Sequence, residues 1–360
     1  MNTSALPSSL WSAFDNAFDA TRMAELSWMA KQAGFALPAL LLMRAVHEAM
    51  GATAMQARPP PSAIAELRNS WMQLLRDDVR DARDGVYPSS LLTLPTSEVL
   101  SLLPQLFAAL PKVVSRSRRR DHSVEDVAGI DDNPVPLPSY YRRAFHWQAD
   151  GWLSERSARV YEPSVELLFG GAAAPMRRRA LRPLVQALRG KQHPRVVDVA
   201  CGAGGFLRQI ALAVPHAHLG GYDLSASYVA HARRALDAAG VVADVAVENA
   251  EALPLKDGLV DAVTSVFLFH ELPRDARRQV AVELHRVLVP GGTAIIVDAA
   301  QQHSSPELKP FLDAFATTYH EPYFRSYQND PLEEVLQEAG FTVTSTSTAF
   351  VSRVVVARRH

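Results

Sequence analysis

Two groups of residues have the types and spacing to grip a ligand. Residues 194–206 read PRVVDVACGAGGF. The apolar run Val196 to Ala200 leads into Cys201-Gly202-Ala203-Gly204-Gly205, and helix-forming residues follow at once. Gly202 and Gly204 carry no Cβ, so the chain can turn sharply and let a ligand lie against the peptide. A helix that starts there presents free N–H groups. Nineteen residues after Gly204 stands Asp223, at the end of the next strand in HLGGYDLS. A carboxylate at that position can accept both hydroxyls of a ribose. A glycine loop alone would also suit a dinucleotide fold. Here the spacing is GxGG rather than GxGxxG, and Asp198 lies inside the first strand, three residues before the loop.

Titratable and aromatic residues collect in three further places. His270 and Glu271 follow the fourth strand in SVFLFHELP. The stretch SYYRRAFHWQADGWLSERSARVYE, residues 139–162, holds Tyr140, Tyr141, His146, Gln148 and Trp152 just upstream of the glycine loop. The stretch TTYHEPYFRSYQNDP, residues 317–331, holds His320, Glu321, Tyr323, Arg325 and Tyr327. His270 and His320 have the chemistry of a base or an acceptor-orienting group. His146, Glu271 and Glu321 could join them as nitrogen and oxygen ligands, but no His-x-x-x-His pair or similar helical spacing supports a metal, and none is expected.

These residues must be held by an α/β framework. From about residue 180, runs rich in Val and Ile alternate with amphipathic segments, the pattern of βαβ units and a mostly parallel sheet. Strands are expected near 195–200, 218–223, 242–247, 260–267, 292–298, 341–347 and 352–358. Helices are expected near 204–214, 225–239, 273–288 and 330–339. The fold class is thus a Rossmann-like, doubly wound, seven-stranded sheet preceded by an all-helical region. The chain divides into a helical cap or interaction domain (1–132), a linker and lid (133–179) and the sheet domain (180–360). In the helical part, Pro38 is expected to kink or break the first helix, and the third is expected to run from Thr96 to Leu110 before Pro111.

The glycine elbow, Asp223, the run Glu248-Asn249-Ala250-Glu251-Ala252-Leu253-Pro254 and the turn RVLVPGG resemble the class I S-adenosylmethionine-dependent methyltransferases, in particular the ubiquinone/menaquinone-biosynthesis group. The resemblance covers about residues 180–300. It implies that Gly202 and Gly204 pack under the methionyl part of S-adenosyl-L-methionine and that Asp198 helps bind its amino group. It implies that Asp223 holds the ribose, that Leu224 lies on the adenine, and that Val266 and Phe267 offer carbonyls to the methionyl end. Asn249 and Ala250 stand where the family usually has Asp-Ala; the Asn249 amide oxygen can still accept from the adenine amino group. His270 and His320 become the catalytic candidates. Tyr141, His146, Gln148, Glu271, Tyr323 and Tyr327 become the substrate-binding candidates. The 139–162 stretch matches the place of a lid in such enzymes.

Composition sets the remaining bounds. Lys+Arg is 37 against Asp+Glu 38, so no net basic field draws the chain to nucleic acid or an anionic membrane. No Asn/Asp-Pro-Pro-Tyr/Phe run of base-flipping enzymes follows the fourth strand. The single cysteine, Cys201, excludes an intrachain disulfide and a thiolate metal cluster within one chain. The N-terminus has no basic region followed by an apolar run, and the longest apolar stretch, Ala36–Met43, falls well short of the roughly 20 residues that span a bilayer. The expectation is a cytoplasmic methyltransferase acting on a small molecule, with the helical part available for a homodimer contact. A non-catalytic cofactor sensor or scaffold, or a nucleic-acid or protein methyltransferase, are the alternatives.

Overall fold

The computed structural model describes residues 20–50, 59–121, 133–143, 145–146 and 150–360. Three helices come first: α1 (Ala20–Met50), α2 (Pro61–Arg83) and α3 (Thr96–Arg119). The helices α4 (Glu155–Leu168), α5 (Ala173–Arg178) and α6 (Leu181–Ala187) lead into the sheet. The sheet region then runs β1 (Arg195–Val199), α7 (Gly205–Ala213), β2 (His218–Asp223), α8 (Ala226–Ala238), β3 (Asp244–Val247), β4 (Val260–Val266), α9 (Arg274–Val287) and β5 (Leu288–Ala299). It closes with α10 (Lys309–Thr318), α11 (Phe324–Gln328), α12 (Leu332–Glu338), β6 (Phe341–Ala349) and β7 (Ser352–Arg359).

The strand order is β3-β2-β1-β4-β5-β7-β6. Pairings from β3 to β5 are parallel, whereas β7 lies antiparallel between β5 and β6. Strands such as β1 and β5 are buried along most of their length because helices cover both faces. One face packs Val196, Ala262, Ile295 and Val297 beneath α6 and α7; the other packs Val197, Val263, Ala294 and Ile296 beneath α9 and α12. The turn Pro290-Gly291-Gly292 falls within β5 rather than ahead of it, at a register shift opposite Val260 and Ala262. Chain order reverses between β1 and β4, which leaves a crevice at their carboxyl ends.

The helical region departs from expectation at its prolines. Pro38 does not break α1, and α3 continues through Pro104 and Pro111 to Arg119. All three prolines are exposed, as are Gly34, Leu100 and Phe107, the residues four positions earlier whose carbonyls lose their partners. Water can satisfy those carbonyls, so the helices need not end. Unbroken, the stretches Met23–Met50 and Ser89–Arg119 are long and apolar enough to cross a membrane by length and composition, which corrects the expectation that no such stretch exists. Their inner faces pack on the protein: Trp28 meets Leu75 and Val79, and Ala39 and Val99 meet Leu167 of α4.

A buried ion pair ties α2 to α5. Arg178 donates through Nε and Nη2 to the two oxygens of Asp78, each at 2.7 Å, and the Tyr87 hydroxyl donates to the same carboxylate at 2.7 Å. Leu74, Val86, Tyr87 and Leu91 share one core with Leu181, Leu184 and Val196. The helical region and the sheet are therefore bound by apolar packing as well as by charge.

Candidate active site

β1 carries Asp198 into the crevice and ends in the glycine elbow. Ala200 sits at φ 60° and Gly202 at φ 54°. No atom lies within 4 Å of where a Cβ on Gly202 would stand, so that residue faces open space. Gly204, at φ 82°, has another task. A Cβ there would meet the Ala232 Cβ at 3.1 Å, so the missing side chain lets α8 approach the elbow, and Gly204 does not line the cleft.

Asp223 binds the elbow directly. Its Oδ2 accepts from the Gly202 N–H and its Oδ1 from the Ser225 N–H, both at 2.9 Å. Each oxygen keeps a lone pair for a further donor. Asp198 is buried and accepts from Thr264 Oγ1 at 2.6 Å. Burial, against the help of that bond, raises its carboxyl to about 7. Both acids line a cleft of about 980 Å³, together with Gly202, Leu224, Asn249, Ala250, Val266 and Phe267. Phe267 holds a left-handed φ of 60°, and its N–H donates to Val297 at 2.8 Å. The Asn249 Oδ1 accepts from the Glu251 N–H at 3.0 Å, so an adenine amino group would share that oxygen.

The described residues Tyr140, Tyr141, Trp152, Tyr161 and Glu162 of the 139–162 stretch line this cleft. Ser154 caps α4 by accepting from the Ser157 N–H at 3.0 Å. The Tyr140 hydroxyl donates to Glu251, and the Tyr141 hydroxyl is hydrogen-bonded to Ser225. Both tyrosines therefore sit on the cofactor cleft. Trp152 Nε1 donates to Glu271 Oε2 at 2.6 Å. Gln148 lies outside the described residues.

Behind the cleft is a second chamber of about 730 Å³, walled by Val165, Leu168, Phe311, Phe315 and Phe324. Tyr161, Phe267 and Glu271 belong to both walls. The chamber meets a larger apolar cavity of about 1390 Å³ between α1, α3 and α4, lined by Leu42, Val46, Leu106, Leu110 and Val113; His146, Tyr161, Val165 and Leu168 border both.

His270 lines the chamber. Its Nδ1 lies 2.6 Å from Asp298 Oδ1, and its Nε2 lies 3.8 Å from Glu271 Oε1. Asp298 also accepts from the Phe269 and Ala299 N–H groups, at 2.7 Å each, which fixes the carboxylate. Burial lowers the imidazole pKa, but Asp298 and Glu271 together outweigh it and leave His270 above its ordinary value. His146, at a left-handed φ of 49°, also lines the chamber. Its Nε2 lies 3.2 Å from Glu321 Oε1, and burial, with His270 and His320 nearby, holds its pKa down to about 3. Glu271 and Glu321 are both raised by burial, and Glu321 adds to the rise at Glu271.

Three expected site residues stand elsewhere. His320 lies near His146 but does not line the cleft or the two cavities behind it. Tyr327 is in the core, its hydroxyl donating to the Ala299 carbonyl at 2.7 Å. Tyr323 packs edge-on against Tyr140 outside the cleft lining.

Two participants carried no sequence signal. Arg177 is buried at the cleft wall, 3.5 Å from Glu162 Oε2, and its Nη1 has no hydrogen bond among the described residues. It sits in the run MRRRALR, which carries no motif of a binding site. Asp298, the partner of His270, ends a strand that reads as plain core.

A sheet of this order, with a glycine elbow after β1 and an acid at the tip of β2, defines a nucleoside-binding α/β domain. Residues 196–292 match the family model described as "Methyltransferase domain". The chain is 33% identical over 138 residues to the demethylmenaquinone methyltransferase of Thermus thermophilus, covering 38% of this chain and 60% of that protein. It is 34% identical over 163 residues to the ubiquinone/menaquinone biosynthesis C-methyltransferase UbiE of Methylobacterium nodulans, covering 44% and 62%. It is 27% identical over 168 residues to the demethylspheroidene O-methyltransferase of Rhodobacter capsulatus, covering 46% and 41%. The chain spans about three fifths of the first two relatives. The domain is a class I S-adenosylmethionine-dependent methyltransferase domain. Over that region it is similar to the methyltransferases of ubiquinone and menaquinone biosynthesis.

Proposed function

We propose that this chain is a cytoplasmic enzyme that transfers a methyl group from S-adenosylmethionine to an apolar small molecule held in the chamber behind the cleft. The carrying observation is the shared wall: Tyr161, Phe267 and Glu271 face the cofactor cleft on one side and the apolar chamber on the other. A cofactor sensor has no need of that second space.

The cleft fits the cofactor. Open space beside Gly202 admits a ligand against the backbone, Asp223 has lone pairs for the ribose, and Asp198 offers a carboxylate to the amino group. Arg177, whose Nη1 stands 3.5 Å from Glu162 Oε2 at the cleft wall, would hold the methionyl carboxylate. When bound, the sulfonium supplies an activated methyl group for in-line displacement. Protein groups then have to place the acceptor and exclude water. Trp152, Tyr161 and Phe267 close the junction. With Asp298 accepting from Nδ1, His270 presents Nε2 as the base for an oxygen or carbon acceptor. The cavity lined by Leu42, Val46, Leu106 and Leu110 would take an apolar tail. No nucleic acid is required. Exposed Leu37, Leu40, Leu41, Leu100 and Phe107 on α1 and α3 form the surface that a second copy would cover; light scattering tests that contact, and vesicle flotation tests a lipid surface in its place.

The test is transfer of labelled methyl from the cofactor to pooled apolar and polar small molecules. Label should move into the organic phase. Leu168→Trp, which fills the junction of the two cavities, should block that transfer and leave cofactor binding intact. Label found only in polar products, or a cofactor that does not bind, would remove this reading.

A further inference from the structure

His146, Glu271 and Glu321 converge from three separate segments at the edge of the chamber, where His146 and Glu271 form part of its wall. One ligand atom of each lies within 4.8 Å of the others. Glu321 is 4% exposed, and neither of its carboxylate oxygens receives a hydrogen bond among the described residues. Glu271 spends Oε2 on Trp152 and leaves Oε1 turned toward His270. His270 stands beside Glu271, and Phe311, Phe315, Phe324 and Leu168 make up much of the remaining wall.

Two carboxylates that close in an apolar pocket repel each other and lose their hydration. A divalent cation would neutralise both carboxylates at once and bind the Glu321 oxygens, which have the His146 contact but no hydrogen bond among the described residues. The tilt of His146 toward this point is held by a left-handed backbone, which costs about 1 kcal/mol or more and persists where the surroundings enforce it. We propose that His146, Glu271 and Glu321 form a binding site for a divalent first-row cation such as Mn²⁺ or Zn²⁺. One imidazole and two carboxylates form a mixed nitrogen–oxygen donor set that suits such ions, and three protein ligands leave positions open.

Glu271 also lines the cofactor cleft. The cation would therefore stand where an acceptor oxygen could bind it, held in place for the methyl group. That role rests on the proposed transfer; the site itself does not. As a Lewis acid the ion would favour the deprotonated oxygen, with the proton passing to His270 Nε2.

The experiment titrates the full chain with Mn²⁺, read by electron paramagnetic resonance and calorimetry, with S-adenosylmethionine binding measured separately on the same samples. The expected result is one Mn²⁺ per chain and a melting temperature raised by the ion. Glu321→Gln and His146→Gln should each weaken Mn²⁺ by more than about tenfold, the scale on which even outer partners of metal ligands act. Both should still bind the cofactor, which shows that they fold. Stoichiometric uptake that neither substitution weakens would overturn the assignment. So would failure of the unaltered chain to take up either Mn²⁺ or Zn²⁺. Loss of cofactor binding with metal uptake intact would count against the methyl-transfer reading alone.

Discussion

His270 Nδ1 and Asp298 Oδ1 stand 2.6 Å apart, and the carboxylate is pinned by two backbone N–H groups. Asp298 therefore fixes which ring nitrogen faces the chamber. Asp298→Asn should lower methyl transfer by about 10²–10⁴-fold, the worth of a positioned base, while cofactor affinity holds. Single-turnover transfer and calorimetry on the same preparation check this. Equal rates would make the pair a structural bond only.

Asp223 joins the elbow to the β2 tip through the Gly202 and Ser225 N–H groups. Asp223→Ala removes both bonds and the acceptor for the ribose. Cofactor binding should weaken by about 2–3 kcal/mol, typical for hydrogen bonds to a charged group. Calorimetry measures it, and unchanged affinity would take Asp223 out of the site.

Asp198 titrates at about 7 in the free protein because it is buried. A cationic amino group binds its ionised form. Below pH 7 the carboxyl must first lose its proton, so cofactor affinity should fall by about tenfold per pH unit, and each binding event should release a proton. Above pH 7 the dependence should flatten. Asp198→Asn should bind weakly at every pH without the slope. Calorimetry in buffers of different ionisation enthalpy counts the protons.

Arg178→Met would leave Asp78 buried with the Tyr87 hydroxyl as its remaining side-chain donor. Removing one member of a buried pair costs about 3–5 kcal/mol, and the tyrosine should hold the loss near the lower end. Urea melts should show it. Changing Asp78 to Leu in the same chain should recover much of the loss.

The parts of the molecule legible in the sequence are those where neighbours in the chain act together. Val196 to Gly205 forms strand, elbow and helix start in one pass, and Asp223 follows at the tip of the next strand. Their type and spacing therefore reveal both the fold and the cofactor cleft. The chamber is not legible in this way. Glu271 and Glu321 come from distant turns, and Asp298 meets His270 only because β5 lies beside β4. Tyr327 looked like a substrate contact because it sits in a polar, aromatic run. The short helix α11 instead turns Phe324 and Tyr327 inward, three residues apart, and leaves Arg325 and Ser326 outside. The prolines of α1 and α3 misled for a related reason: a proline ends a helix only where nothing else can satisfy the carbonyl it strands, and on a wet face water does so.

Cys201 is the chain's single cysteine, and it is packed beneath the elbow beside Gly221 and Leu207, with burial pushing its thiol up. The residue also borders the cofactor cleft, at 6% exposure. The rate of maleimide labelling should therefore report how far that cleft is filled as well as how often the elbow lifts, with no second thiol to confuse the signal.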